Sequence, residues 1–173
     1  MIAPTLTTDR LTLRALSDTD IAPLTAFYGS EEHSRFVGGP MDPVMAWRAL
    51  AKEIGHWTLK GFGRWSVRRT ACDTPVGIVG LWEPFGWPEP EIGWYIYTDH
   101  IGHGYAPEAA RAARDYAYQT LGWTTAISLI DDANSASQSV ATKLGASPEG
   151  PFDLPIFGKT MIWRHPSVEK VGG

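Results

Sequence analysis

The chain has 173 residues, of which 43% are hydrophobic and 20% charged, and its formal charge is -4. These values suit one cored domain over residues 1–173, with a core of about 8–165, and they exclude disorder as the starting assumption. The acidic balance argues against nucleic acid as the main partner and sits more easily with a cationic or small neutral substrate.

Leu6 to Arg14 alternates Leu11 and Leu13 against Thr12 and Arg14, which predicts a half-buried first strand. Ser17-Asp18-Thr19-Asp20 supplies a cap for a helix carrying Ile21, Leu24, Phe27 and Tyr28. Gly38-Gly39-Pro40 breaks the chain, and Asp42-Pro43 opens a second helix with proline where a missing N–H does no harm. Trp47, Leu50, Ala51, Ile54 and Trp57 keep helical spacing and predict its buried face, up to Gly61.

Strand periodicity follows at Arg64–Arg69 and Pro75–Glu83, joined by a loop that holds the lone Cys72. One cysteine excludes an internal disulfide framework and a Cys-rich metal site, and nothing around it marks an activated nucleophile. An aromatic, proline-rich connector, Pro84 to Pro90, leads into a strand over Glu91–Thr98. A helix is predicted from Tyr105 to Leu121, then a strand over Thr124–Ile130 and a short helix over Asn134–Leu144 closed by Gly145. Phe157–Arg164 reads as a final strand and Val171-Gly172-Gly173 as a frayed tail. This order predicts an α+β fold with a largely antiparallel sheet and one parallel crossover around the long helix. The ligand is expected at that crossover, where crevices open at strand carboxyl ends. No leader-like segment stands at the N-terminus and no apolar run approaches the roughly 20 residues of a membrane span, so a cytoplasmic protein without membrane partners is expected.

Two stretches carry chemistry. Gly102-His103-Gly104, between a strand and a helix, lets backbone N–H groups approach an anion at a helix N-terminus, and phosphate is the expected guest. The dinucleotide fingerprint fits poorly, because Pro107 stands where Gly or Ala is needed, and no Walker-type Gly-Lys-Ser/Thr follows. The second stretch runs from Asp131 to Gly145. Singly, its residues suit structural roles: Asn134 as a cap, Ser135 with Gln138 as a capping box, Lys143 at a helix C-terminus.

In this order and spacing, Gly-His-Gly-Tyr-Ala-Pro-Glu-Ala from Gly102 and then Asn134-x-x-Ser137 with Lys143-Leu144-Gly145 resemble the GNAT acetyltransferase superfamily. Thr8-Asp9-Arg10-Leu11-Thr12-Leu13-Arg14 and Glu91-Ile92-Gly93-Trp94-Tyr95-Ile96 resemble its branch of ribosomal-protein N-terminal acetyltransferases. The resemblance implies a mixed, mostly antiparallel central sheet with helices on both faces and an acetyl-CoA cleft between two splayed strands. It implies that amides of Ile101, Gly102, His103, Gly104, Tyr105 and Ala106 hold the coenzyme A pyrophosphate. The backbone of Tyr95 and Ile96 would pair with the pantetheine arm, with an N–H receiving the developing oxyanion. Asn134 would contact that arm, and Ser137 would stand near the sulfur and serve the leaving thiolate. Two positions depart from the family: Asp99 stands where Gln or Arg is common, and Ile101 where the branch often has Trp. Neither change removes a backbone N–H.

An amine acceptor must lose a proton before it attacks a thioester. Glu91 is the first candidate base, directly or through water, and Glu83 the second; each also fits a solvated strand-end carboxylate. Trp82, Phe85 and Trp87 either pack under the connector or wall the acceptor pocket. His103 reads as a loop side chain, and His33, His56, His100 and His165 form no metal-ligand spacing, so no metal is expected. The expected activity is acetyl transfer from acetyl-CoA to a small-molecule amine or a protein N-terminus. Its rivals are a non-catalytic acyl-CoA sensor and an unrelated nucleotide-binding domain. Dimers are common in the branch, but no dedicated interface is marked, so a homodimer stays open.

Overall fold

The computed structural model describes residues 3–154 and 158–171. Its elements are β1 (Leu6–Thr7), β2 (Leu11–Arg14), α1 (Ile21–Tyr28), α2 (Glu31–Ser34), α3 (Pro43–Lys60), β3 (Arg64–Arg69), β4 (Pro75–Trp82), β5 (Glu91–Ile96), α4 (Tyr105–Gln119), β6 (Ile127–Ile130), α5 (Ser135–Lys143), β7 (Ser147–Leu154), β8 (Gly158–Arg164) and α6 (Val168–Val171). The strands form one sheet in the order β1-β2-β3-β4-β5-β6-β8-β7. Every pairing is antiparallel except β5 with β6. The expected α+β class and its single parallel crossover are both present.

Local signals set most helix ends. The Asp42 carboxylate accepts from Met45 N at 2.8 Å, Pro43 occupies the first turn, and Gly61 closes α3. The buried face of α3 differs from the expected one. Ala46, Ala49, Leu50, Glu53, His56 and Trp57 face the sheet, whereas Trp47 and Ile54 are 56% and 40% exposed and Ala51 is exposed. Two polar residues sit on the inner face because each finds partners there, so hydrophobic spacing alone picks the wrong stripe.

The first strand is also different: Thr8 caps a turn, accepting from Leu11 N at 3.0 Å, and folds β1 back on β2. Asp18–Asp20 forms a 3-10 turn before α1, tied by Ser17 N to the Asp20 carboxylate at 2.9 Å. Strand β7 has no counterpart in the sequence reading. Its Pro148 and Pro151 would break a central strand, but β7 is an edge strand paired with β8 alone. Of the expected last strand, Phe157 lies outside the described residues, as do Gly172 and Gly173 of the tail, while Val171 ends α6.

Helices cover both faces. On one, Ala109, Ala110, Ala113 and Ala117 let α4 approach Val67, Val79, Leu81 and Ile92 closely. On the other, Leu24, Phe27 and Leu50 of α1 and α3 pack on Ile78, Tyr95 and Tyr97. Burial of the Val, Leu, Ile and Phe side chains among them is worth about 1.5–3 kcal/mol each and fixes which strand residues face which helix.

The feature that makes a site is a fork. Strands β4 and β5 pair over six positions, from Gly77↔Ile96 to Trp82↔Glu91. Strands β5 and β6 pair at one position only, Glu91↔Ile127, and then diverge. Side chains take over the polar groups that the divergence leaves at the base of the fork. Ser128 Oγ donates to Ile92 O at 2.6 Å, and Leu129 N donates to Glu91 Oε1 at 3.3 Å. His165, buried behind them, shares a 3.0 Å hydrogen bond with Ser128 Oγ through Nε2.

Candidate active site

Past β5 the chain makes a 3-10 turn over Thr98–His100 and reaches Gly102 and Gly104, whose φ angles of 85° and 77° lie in the left-handed region. Gly104 caps α4 without any side-chain hydrogen bond, so the first-turn N–H groups of α4 remain open to a ligand. A Cβ on Gly102 would meet nothing within 4 Å, and one on Gly104 only Arg10 Nη2 at 3.5 Å. This is an open cradle, and a diphosphate fits it by chemistry and by space.

The loop is braced from the other end of the chain. Arg10 Nη1 donates to His103 O at 3.1 Å and Arg10 Nε to Glu108 Oε2 at 2.7 Å. Thr8 Oγ1 adds a 2.6 Å bond to Glu108 Oε1. Burial alone would raise the Glu108 carboxyl, but these donors outweigh it and hold Glu108 below the ordinary range. Arg10 and Glu108 both stand in the motif stretches of the sequence, but their partnership was not visible there.

Between the diverging strands lies a cleft of about 730 Å³. Tyr95, Ile96, Ile101, Gly102, Gly104, Tyr105, Ala106, Asn134 and Ser137 line it. His103 is off the wall, stacked on Tyr105 with ring centroids 5.6 Å apart. Asn134 caps α5, its Oδ1 accepting from Ser137 N at 3.1 Å. Ser137 Oγ in turn accepts from the Trp94 indole at 3.3 Å across the fork. Trp94 and the α2 side of the cleft, with Phe27, Glu32, His33 and Phe36, are walls that the sequence did not reveal.

Strand register refines which backbone groups face the cleft. Tyr97 N bonds Val76 O in β4, and Ile92 O accepts from Ser128 on the fork side. Because successive residues of a strand point their N–H and C=O to opposite edges, Ile92, Trp94 and Ile96 turn theirs to the fork. Tyr95 turns its own toward β4, so the residue beside Ile96 for this purpose is Trp94.

The two candidate bases differ in setting. Glu91 is 6% exposed, and its Oε2 accepts from the Trp87 indole at 2.7 Å while Oε1 accepts from Leu129 N. Burial pushes its carboxyl above the ordinary range, opposed by nearby Arg64 and by the two donors. Glu91, Gly93 and Tyr95 share the face of β5 that looks toward α3. There Arg64 Nη1 donates to Glu53 Oε1 at 3.0 Å, and the guanidinium stacks on Trp82 at 4.4 Å. It lies so close to β5 that a Cβ on Gly93 would be 2.8 Å from Arg64 Nη2. Glu53 Oε2 is buried and has no hydrogen-bond partner among the described residues. Glu83, by contrast, is paired with Lys60 Nζ at 2.9 Å near the end of α3. Of the three expected pocket aromatics, Trp82 ends β4 opposite Glu91 with its ring packed between His56 and Arg64, Phe85 is fully exposed, and Trp87 hydrogen-bonds the Glu91 carboxylate.

Among the described residues no group of three or more His, Cys, Asp or Glu is arranged to hold a metal ion. No helix among them is long and apolar enough to cross a membrane.

Comparisons with known proteins agree with this geometry. The acetyltransferase (GNAT) domain matches residues 10–147. The N-acetyltransferase YoaA of Bacillus subtilis is 26% identical over 156 residues, spanning 85% of each chain. An acetyltransferase crystal structure from Agrobacterium tumefaciens superposes with a TM-score of 0.86 at 32% identity, covering 95% of both chains. The structure of AAC(6')-Ib in complex with ribostamycin and coenzyme A shares the fold, with a TM-score of 0.79 at 14% identity over 95% of this chain and 97% of that one. The forked sheet, the glycine loop and these likenesses lead to one assignment: the chain belongs to the GNAT acetyltransferase family and is an acyltransferase.

Proposed function

We propose that this enzyme acetylates a primary amine, on a small molecule or a protein N-terminus, by direct attack within a ternary complex. The observation that carries the proposal is the fork between β5 and β6 with the open glycine cradle at its mouth. Acetyl-CoA supplies the activated thioester when bound. The N–H groups from Gly102 to Ala106 receive its diphosphate, the expected Ile101 N–H being already donated to Thr98 O at 3.3 Å, and the fork-facing N–H and C=O groups of Trp94 and Ile96 bind the pantetheine amides and polarise the carbonyl. Asn134 positions the same arm, and Ser137 Oγ–H donates to the departing sulfur. No covalent enzyme intermediate is needed, and Cys72 is exposed in a loop remote in sequence from these groups.

The acceptor approaches from the face of the sheet that carries Glu91, Gly93 and Tyr95. There Glu91 takes the ammonium proton, directly or through water, as a buried carboxylate whose raised affinity for protons suits a base near neutral pH. Two carboxylates, Glu53 and Glu91, share that region with two cations, Arg64 and Lys52, both over the Trp82 ring, so it carries balanced charge. Fixed donors and a positioned thioester would do most of the catalysis.

The test is a melting screen with acetyl-CoA followed by thiol-release assays on a panel of amines. A rise in melting temperature and thiol release with at least one amine are expected. No shift at concentrations far above micromolar would overturn the proposal. A shift without thiol release for any amine would favour a sensor.

A further inference from the structure

A parallel ladder advances two residues at a time along each strand. Ile127 N donates to Pro90 O at 3.1 Å, and β5 and β6 pair at Glu91↔Ile127. The next rung would run from Leu129 N to Ile92 O, and the one after it from Trp94 N to Leu129 O. The pairing ends before either.

Both ends of the first missing rung have side-chain partners instead. Ser128 Oγ donates to Ile92 O at 2.6 Å, while Leu129 N turns to Glu91 Oε1 at the longer distance of 3.3 Å. A serine has one hydroxyl proton and Ile92 O takes it, so His165 Nε2 is the donor in its 3.0 Å bond with Ser128 Oγ. Burial, and then Arg114 and Arg164, push the His165 pKa down to about 3, so the ring is neutral and carries one proton. Its buried Nδ1 has no hydrogen-bond partner among the described residues, which agrees with that proton standing on Nε2. Ser128 and His165 are both buried, so bulk water does not compete for these bonds.

We infer that Ser128, oriented by His165, is a positioning residue of the active site: by occupying Ile92 O it stops the β5–β6 ladder one rung short and keeps Trp94 N–H free for the cofactor. The ligand's identity rests on the acetyl-CoA reading of the cleft; the stop itself does not. Without the hydroxyl, a buried carbonyl on β5 faces a buried N–H on β6, and the rung closes to satisfy both. Trp94 N then reaches Leu129 O, and the group that should meet the pantetheine arm is spent within the sheet.

Amide exchange followed by NMR on the ligand-free enzyme reads the stop directly. In the native protein Trp94 N–H should exchange about ten-fold faster than Tyr95 N–H, which is turned to β4 where Tyr95 pairs with Ile78. Ser128→Ala should slow Trp94 N–H about ten-fold, the opposite sign from a general loss of stability, which speeds exchange. Titration should show acetyl-CoA bound about ten-fold more weakly by that variant, because the cofactor must displace a rung. His165→Phe keeps a ring but drops the donor, and should move both readings the same way by a smaller amount. Ser128→Thr keeps the hydroxyl and should leave both within about three-fold of native. A native Trp94 amide as slow as Tyr95, a Trp94 amide unchanged or faster in Ser128→Ala, or a threonine variant that behaves like alanine would overturn the assignment. Failure of the native enzyme to bind acetyl-CoA would remove the cofactor reading, while the exchange rates would still decide the stop.

Discussion

Glu91→Gln removes a charge from the fork while keeping the side chain's shape. In the native protein both carboxylate oxygens are acceptors, for the Trp87 indole at 2.7 Å and for Leu129 N at 3.3 Å. A glutamine can meet only one of these donors, and its NH2 then faces the other. A buried donor left unmet costs about 1–3 kcal/mol, and the long Leu129 bond is the cheaper to lose, which puts the cost near the lower end. The charge acts in the opposite direction. Burial holds the native carboxyl above its ordinary value of 4.5, so the folded protein binds a proton there that the unfolded chain releases. A carboxyl raised in this way leaves stability whole at acid pH. It erodes stability as pH climbs from 4.5 to the raised folded value, and glutamine has no such window. The variant's deficit should therefore be largest near pH 4 and shrink toward neutrality.

Kinetics supply the second readout for the same variant. Loss of a general base costs about 10²- to 10⁴-fold, so kcat should fall at least a hundred-fold while acetyl-CoA affinity stays within about two-fold. The acid limb of the kcat/KM profile should vanish. Denaturant midpoints across pH and steady-state rates with a reactive amine measure both effects. A native acid limb in the variant, or a stability deficit that ignores pH, would refute the reasoning.

Other perturbations test neighbouring parts. Gly93→Ala places a Cβ 2.8 Å from Arg64 Nη2, so the guanidinium at the tip of that side chain must shift against Glu53, costing about 1 kcal/mol in urea unfolding; most of that cost should disappear in an Arg64→Met background. Arg10→Ala frees His103 O and Glu108 from their brace, and titration should show acetyl-CoA affinity about ten-fold weaker with about 1 kcal/mol or less of stability lost. Ser137→Ala should lower kcat about ten-fold in single-turnover assays at unchanged cofactor affinity, since its hydroxyl acts only on the departing sulfur. His165 is pushed down to about 3 from 6.5, first by burial and then by Arg114 and Arg164. A base lowered in this way keeps its stability above pH 6.5 and loses it as pH falls toward 3. Unfolding at pH 4.5 should therefore cost about 2–3 kcal/mol less than at pH 7, a difference that His165→Gln should remove.

Local chemistry was legible in the sequence, and partnership across the sheet was not. Asp42-Pro43 and Gly61 fix the ends of α3 through contacts a few residues away, so its limits could be read directly. Its inner face could not, because Glu53 is buried only by virtue of the Arg64 guanidinium, and His56 only by virtue of the Phe62 carbonyl and the Glu83 N–H. The glycine loop and Asn134 with Ser137 were legible as spaced motifs. The choice between Trp94 and Tyr95 depends on which edge of β5 meets β4, a property of register. Strand β7 was hidden by prolines that only an edge position tolerates. Glu91 was visible as a carboxylate, but Trp87, Leu129 and Arg64 around it come from three other segments.

The brace on the glycine loop has a consequence for the order in which the site is built. Its bonds span 93 residues from Arg10 to His103 and 98 from Arg10 to Glu108. Closing so long a loop carries an entropic cost that local contacts cannot offset, so the cradle is finished only when the two distant segments dock. During synthesis the first hairpin leaves the ribosome early and must wait for α4 before it can clasp anything. Cofactor binding therefore reports on completed tertiary assembly, and a chain cut off before residue 108 would hold the first half of the clasp with nothing to close on.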